Sequence, residues 1–195
     1  EIPLRLVGSE MCIRDRLKES IKASEGRIIV SENIVTQENL DSITTAEIAA
    51  AFGADMILCN RLDVNDPKIF GLYPGERHLA AAPKHDGKAS IDRLKKLVGR
   101  PVGINLEPIG DHPNMMEQQI AILPGCTASE AVIKKAEAMG FQFMVLTGNP
   151  GTGVTNEAII HSITVAKQYF SGLIIAGKMH ASGAVSYTHL RAHET

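Results

Sequence analysis

The chain has 195 residues, of which 22% are charged and 44% apolar, with a formal net charge of -2, the balance of an ordinary globular protein. That balance leaves no surplus of cations to hold a phosphate backbone, so no nucleic-acid partner is expected; no apolar run approaches the ~18 residues of a membrane-spanning helix, so no membrane partner is expected either. A cytoplasmic location follows as the expectation, and the central cysteines, Cys59 and Cys126, lack metal-ligand spacing and read as reduced, buried thiols.

The first residues in chain order read as foreign. Leu6–Asp15 and Val185–Glu194 can be written as reverse complements, codon for codon. Met11-Cys12-Ile13-Arg14 as atg tgt ata aga gives tct tat aca cat on the opposite strand, which is Ser186-Tyr187-Thr188-His189. An inverted repeat in codon space has no cause at the protein level, so residues 1–16 and 184–195 are expected to be translated sequencing adapter and to make few packed contacts. What is left is one truncated domain over residues 17–183, with the natural protein expected to run on beyond both of its ends.

Inside that domain, short apolar or β-branched runs alternate with Ala-rich helical stretches, the sign of βα units. A helix at Leu17–Ser24 precedes a strand at Arg27–Ser31. Then follow a helix at Thr45–Phe52, a strand at Asp55–Asn60, a helix at Ser90–Val98 and a strand at Pro101–Leu106. Ala128–Met139 reads as a helix with Thr127 and Glu130 as its capping box, Phe141–Thr147 as a strand, Asn156–Phe170 as a helix capped by Thr155, and Leu173–Gly177 as the fifth strand. Gly53 and Gly140 each end a helix just before a strand, where a left-handed cap is wanted. The strands are nearly all apolar, as strands covered on both faces of a parallel sheet should be.

Five such units fit an open doubly wound sheet or a partial (β/α)8 TIM barrel. The barrel is favoured because all five strand ends carry polar groups, and barrel enzymes build their sites at that edge, whereas an open sheet gathers its ligand residues at one switch point. Glu32 and Asn33 follow the first strand, Asn60, Arg61 and Asp63 the second. Asn105 and Glu107 close the third, Thr147 and Asn149 follow the fourth, and Lys178 and His180 close the fifth. Side chains alternate along a strand, so Asn105 shares a face with Glu107, and Lys178 with His180. Polar residues at strand ends also simply begin solvated loops. His78, His85 and His112 read as surface histidines, and His161 as a helix-face residue.

Between the fourth strand and the next helix lies Thr147-Gly148-Asn149-Pro150-Gly151-Thr152-Gly153-Val154-Thr155. Gly148, Gly151 and Gly153 let backbone N–H groups come close to an anion, with Asn149 and Thr152 adding side-chain partners and a helix N-terminus behind them. The spacing is that of neither a Walker loop nor a dinucleotide fingerprint. A tight turn that uses glycine for its dihedral angles is the plainer alternative.

The stretches Gly99-Arg100-Pro101-Val102-Gly103-Ile104-Asn105-Leu106-Glu107-Pro108, Leu146 to Glu157 and Ile175-Ala176-Gly177-Lys178-Met179-His180 carry a resemblance, with Ala23-Ser24-Glu25-Gly26-Arg27 and Ala46 to Asp55 in support. They resemble a group of bacterial TIM-barrel proteins labelled phosphoenolpyruvate phosphonomutase-like. The resemblance implies a barrel and a metal-assisted reaction at the carbon beside a carboxylate in a small phosphorylated or keto acid.

The mechanism expected from these residues makes Glu107 a general base or a metal ligand, with Mg2+ the metal it would hold. Lys178 faces the charge of a carboxylate or enolate and His180 donates a proton. The loop residues Gly148, Asn149, Gly151, Thr152 and Gly153 anchor the anionic group of a small metabolite, and Glu32, Asn60, Asp63, Asn105 and Thr147 support the mouth. Two alternatives stay open: Lys178 as a Schiff-base nucleophile of a lyase or aldolase, and a barrel that binds a phosphorylated metabolite in a regulatory role without catalysis. A homo-oligomer is the expected assembly of the full-length protein.

Overall fold

The computed structural model describes residues 13–39, 42–76, 78–109, 121–149 and 152–178. The apolar runs become strands: β1 is Val30–Ile34, β2 Met56–Asn60, β3 Val102–Leu106, β4 Phe143–Gly148 and β5 Leu173–Lys178. β2 to β5 lie within two residues of where the sequence puts them. β1 is displaced by three residues and takes in Glu32 and Asn33, so those two belong to the strand and do not follow it. Its pairing with β2, Val30 opposite Met56 through Ile34 opposite Asn60, holds the polar residues in extended form.

The helices are α1 (Ile13–Ala23), α2 (Thr45–Ala51), α3 (Gly87–Val98), α4 (Glu130–Met139) and α5 (Asn156–Tyr169). Thr155 caps α5 as the sequence predicts, its hydroxyl accepting from the Ala158 N–H at 3.1 Å. Gly140 takes the left-handed cap after α4 at φ 81°, and Gly53 has φ 94°. The capping box at Thr127 is a misreading. Ser129 caps α4, accepting from Val132 N, while the Thr127 hydroxyl donates to the Pro124 carbonyl at 2.9 Å to close a 3-10 turn at Pro124–Cys126. The reciprocal box lies at α2 instead, between Thr44 and Glu47.

All five strands are parallel and their spatial order is β1-β2-β3-β4-β5. Right-handed crossovers between neighbours taken in sequence must put every connecting helix on one face. The packing agrees: Ala46, Leu94, Ile133 and Ala166 of α2 to α5 share a core with Ile57, Ile104, Met144 and Leu146 on one side of the sheet. A complete sheet wound this way covers its other face by curling into a barrel; the five strands here form an arc of such a (β/α)8 barrel.

The inner face carries the residues of opposite parity, and α1 lies on it. Ile13, Leu17 and Ile21 recur every fourth residue along α1 and pack with Met56, Leu58, Phe143, Val145, Leu173 and Ile175. No strand precedes α1 among the described residues, so no crossover rule sends it to the outer layer. Burying a side chain such as Leu17 stabilises by ~1.5–3 kcal/mol. The helix starts at Ile13, so the boundary at Leu17 drawn from the codon argument falls inside one continuous helix. No described helix is long and apolar enough to cross a membrane.

Candidate functional site

At the C-terminal edge of the inner face the apolar residues give way to a polar row that crosses four strands. Asn60 Nδ2 at the end of β2 donates to Glu32 Oε1 on β1, and Asn105 Nδ2 on β3 donates to Asn60 Oδ1 at 3.2 Å. Thr147 Oγ1 on β4 in turn donates to Asn105 Oδ1. Side chains in a parallel sheet meet laterally only when they share a face; Glu32, Asn60, Asn105 and Thr147 have the same parity as the inner apolar residues below them, and the Glu32–Asn60 and Asn105–Thr147 bonds run diagonally, because Glu32 stands opposite Leu58 and Asn105 opposite Val145. Asn105 is buried, and both ends of its amide are used.

One residue beyond β3 stands Glu107. The chain leaves the sheet there and returns through the Pro124–Cys126 turn. Glu107 N donates to the Cys126 carbonyl at 3.0 Å and Ala128 N to the Glu107 carbonyl at 2.8 Å, which pins the Glu107 backbone from both sides. Its carboxylate is half-buried, and that burial pushes its pKa above the ordinary value, against the opposing pull of hydrogen bonds from Thr152 and Asn149. Thr152 Oγ1 lies 2.7 Å from Glu107 Oε2 and 3.0 Å from the Asn149 carbonyl. A hydroxyl has one proton for these two acceptors. When Glu107 is protonated its own O–H can donate to Thr152, which then donates to Asn149, and every group is satisfied. The geometry therefore suits a carboxyl that gains and loses a proton.

Glu107 opens on a cleft of about 230 Å³ lined also by Asn60, Arg61, Asn105, Cys126, Asn149 and Thr152, with Ala121, Ile122 and Leu123 as an apolar wall. Arg61 is one of three described non-glycine residues with positive φ, at 59°, a conformation that costs an L-residue about 1–2 kcal/mol. Asn60 Oδ1 holds it there by accepting from Arg61 N at 2.8 Å. The Cys126 thiol is pushed up to about 11 by burial first, then by Asp63 and Glu107, with Arg61 pulling the other way. Cys59, wholly buried, is pushed up to about 12. Both are free and buried thiols, as the sequence predicts.

Of the residues singled out from sequence, Asn60, Asn105, Glu107, Asn149 and Thr152 meet in the cleft, and Glu32 and Thr147 join it through the polar row. Asp63 does not line it: its carboxylate accepts from Asn65 N at 2.8 Å and packs against Gly125, where a Cβ would sit 1.7 Å from Asp63 Oδ1. Gly148 ends β4 opposite Lys178 in register, and neither Gly148 nor Gly153 lines the cleft. Gly151, His180, His112 and the Lys178 side chain lie outside the described residues. No group of three or more His, Cys, Asp or Glu that could hold a metal comes together among the described residues, so the donor set that Mg2+ would need beside Glu107 is not found there.

Sequence reading placed Arg61 among the polar residues at the end of the second strand but gave it no role in the site, and it missed Cys126 as a cleft residue. The signals were present in outline: a cation directly after a strand end, and Pro-Gly-Cys before a helix. His85, read as a surface histidine, is partly buried. It stacks on Tyr73 with ring centroids 3.7 Å apart, and its Nε2 lies 2.5 Å from Glu76 Oε1, closing the long β2–α3 connection. His161 and His78 are exposed.

Among known proteins, a family described as a domain of unknown function, DUF7916, matches residues 9–194. A curated AMP phosphorylase of Thermococcus kodakarensis is 24% identical over 85% of this chain and 40% of its own length. The solved 2,3-dimethylmalate lyase, a member of the PEP mutase/isocitrate lyase superfamily, superposes with a TM-score of 0.49 at 12% identity, over 94% of this chain and 60% of the lyase. A GH27 β-L-arabinopyranosidase from Geobacillus stearothermophilus gives 0.47 at 11% identity, over 84% and 50%. The resemblance to the lyase superfamily is distant, and the chain spans between 40% and 60% of the lengths of these three proteins.

Proposed function

The chain belongs to the DUF7916 family, and from its cleft we propose a barrel enzyme that moves a proton at the carbon beside a carboxylate in a small phosphorylated or keto acid, through an enolate. The observation that carries this reading is Glu107: half-buried at the strand-end mouth, kept toward its acid form by burial, and within hydrogen-bond reach of the Thr152 hydroxyl. A general acid or base works best when its pKa is brought toward the working pH, and raising a carboxyl does that. In this reading Glu107 takes the proton from the substrate carbon and gives it back, and Asn105 and Asn60 present fixed amides to the mouth. Lys178 meets the enolate charge, His180 supplies a proton, and the Gly148–Gly153 loop holds the anionic end. The phosphoenolpyruvate phosphonomutase-like character of the motifs supports the substrate class.

The test is hydrogen exchange. Incubated in D2O with pyruvate, oxaloacetate and phosphonopyruvate, whose C3 protons are all alpha to a carbonyl, the protein is expected to exchange the C3 protons of at least one of them faster than buffer alone does, read by proton NMR. Glu107→Gln should slow that exchange by about 10²-fold or more. Exchange undiminished in Glu107→Gln removes Glu107 from the mechanism; no exchange with any of the three acids overturns the enzyme reading in favour of a barrel that only binds. Borohydride reduction with a keto acid present tests the lysine separately. A covalent adduct at Lys178 would move the chemistry to an imine.

A further inference from the structure

We propose that Arg61 holds a carboxylate or phosphate of the substrate in the cleft on which Glu107 opens, a second anionic group beside the one held by the Gly148–Gly153 loop. Four observations lead there. Arg61 lines the cleft, and among the described residues its guanidinium has no ion-pair or hydrogen-bond partner, while the nearby Asp63 carboxylate is committed to Asn65 N. Its backbone sits at φ 59°, which glycine or asparagine would adopt more easily. A bulky cation kept in that conformation points to a use for the side chain. The Asn60 amide that fixes Arg61 N also belongs to the polar row, so the position of the cation is tied to the same amide that holds Asn105.

The fourth observation is the separation of charge. Arg61 and Glu107 line the same cleft, yet among the described residues no ion pair joins them, and Cys126 feels the charge of both. A guanidinium in contact with Glu107 would hold it ionised. With the cation and the protonatable carboxyl on one cleft but not paired with each other, an anionic group on Arg61 leaves the neighbouring carbon to reach Glu107. At about 230 Å³ the cleft is smaller than the roughly 300–1,000 Å³ of pockets that take drug-sized ligands, so the fit is to an acid of a few heavy atoms.

The inference rests on the cleft being the reaction site, and its test reads occupancy, not turnover. Cys126 is the reporter. Its alkylation by iodoacetamide is followed by mass spectrometry with inorganic phosphate or pyruvate as the probe, and Cys59, fully buried, serves as the internal measure of unfolding. Rates are compared as ratios with and without the anion, since removing Arg61 also raises the pH at which Cys126 reacts. One or both anions should protect the wild type in a saturable way, and the anion that protects tells carboxylate from phosphate. Arg61→Gln should raise the half-protecting concentration at least tenfold, with Arg61→Lys between the two. Arg61→Gly should lose protection equally while its urea midpoint stays level or rises, because glycine relieves the left-handed backbone. Half-protection unchanged in both Arg61→Gln and Arg61→Gly, or no protection of the wild type by either anion, overturns the proposal. Loss of exchange in Glu107→Gln alongside unchanged protection in Arg61→Gln would remove Arg61 and leave Glu107 in place.

Discussion

The polar row makes a quantitative demand on Asn105. Truncating it to alanine removes the bond it donates to Asn60 Oδ1 and the one it accepts from Thr147 Oγ1, each a net ~0.5–1.5 kcal/mol. Asn60 Oδ1 keeps its bond from Arg61 N, so it is not orphaned. The Thr147 hydroxyl loses its acceptor, and a half-buried donor left unmatched adds ~1 kcal/mol, toward the low end because water enters from the mouth. The sum is ~2–4 kcal/mol. Equilibrium urea unfolding followed by circular dichroism should show it as a lower midpoint with an unchanged slope. Thr147→Val should cost ~1 kcal/mol alone, and the pair should couple by ~0.5–1.5 kcal/mol in a double-mutant cycle. A loss below ~0.5 kcal/mol in Asn105→Ala, with no coupling to Thr147, would refute the idea that the row is a connected network.

Two further outcomes are expected. At Gly103, on the inner face of β3, a Cβ would lie 2.4 Å from the buried Phe143 ring. Gly103→Ala should therefore lower stability by ~1–3 kcal/mol in a thermal melt; an unchanged melt would mean that the ring yields freely. Burial raises the folded-state pKa of Glu107, so the stability carried by its acid form is present below the ordinary carboxylate value of ~4.3 and is lost as pH rises through the folded value. Urea midpoints of wild type and Glu107→Gln, taken from about pH 4 to about pH 8, should diverge in favour of the glutamine variant as pH rises, and divergence in the opposite sense would contradict the burial argument.

What was legible in the sequence follows from how local each signal is. β2 to β5 could be read because uninterrupted apolar runs such as Met56-Ile57-Leu58-Cys59 need no partner to declare themselves. β1 could not be placed as well: Ser31, Glu32 and Asn33 look like the start of a loop, and only the lateral bond from Asn60 explains a glutamate inside a strand. Thr127 and Ser129 are two hydroxyls within reach of one helix start, and the choice between them is made by a 3-10 turn that forms only because the chain comes back to Glu107. The pairing of Cys126 with Glu107 crosses a long excursion and leaves no periodic trace. The inner placement of α1 was equally hidden, since Ile13, Leu17 and Ile21 make the same stripe whichever face they cover. Glu107 and Asn105 could be paired as candidates because alternation along a strand is a strictly local rule, and Asn60 because a polar residue ending an apolar run is equally local.

The row from Glu32 to Thr147 also acts as a key cut across the sheet. Parallel strands made of near-continuous apolar residues have little in their backbones to distinguish one alignment from the next, and a slip of one residue swaps every side chain to the opposite face. Were β3 to slip by one, Asn105 would turn toward the helices and Ile104 or Leu106 would be thrust between Asn60 and Thr147. Three amide and hydroxyl groups would then be stranded together, so the error is penalised at several strands simultaneously. A chain that assembles out of alignment is thus one that also carries no Glu107 at its mouth, and proofreading of the fold and assembly of the cleft become a single event.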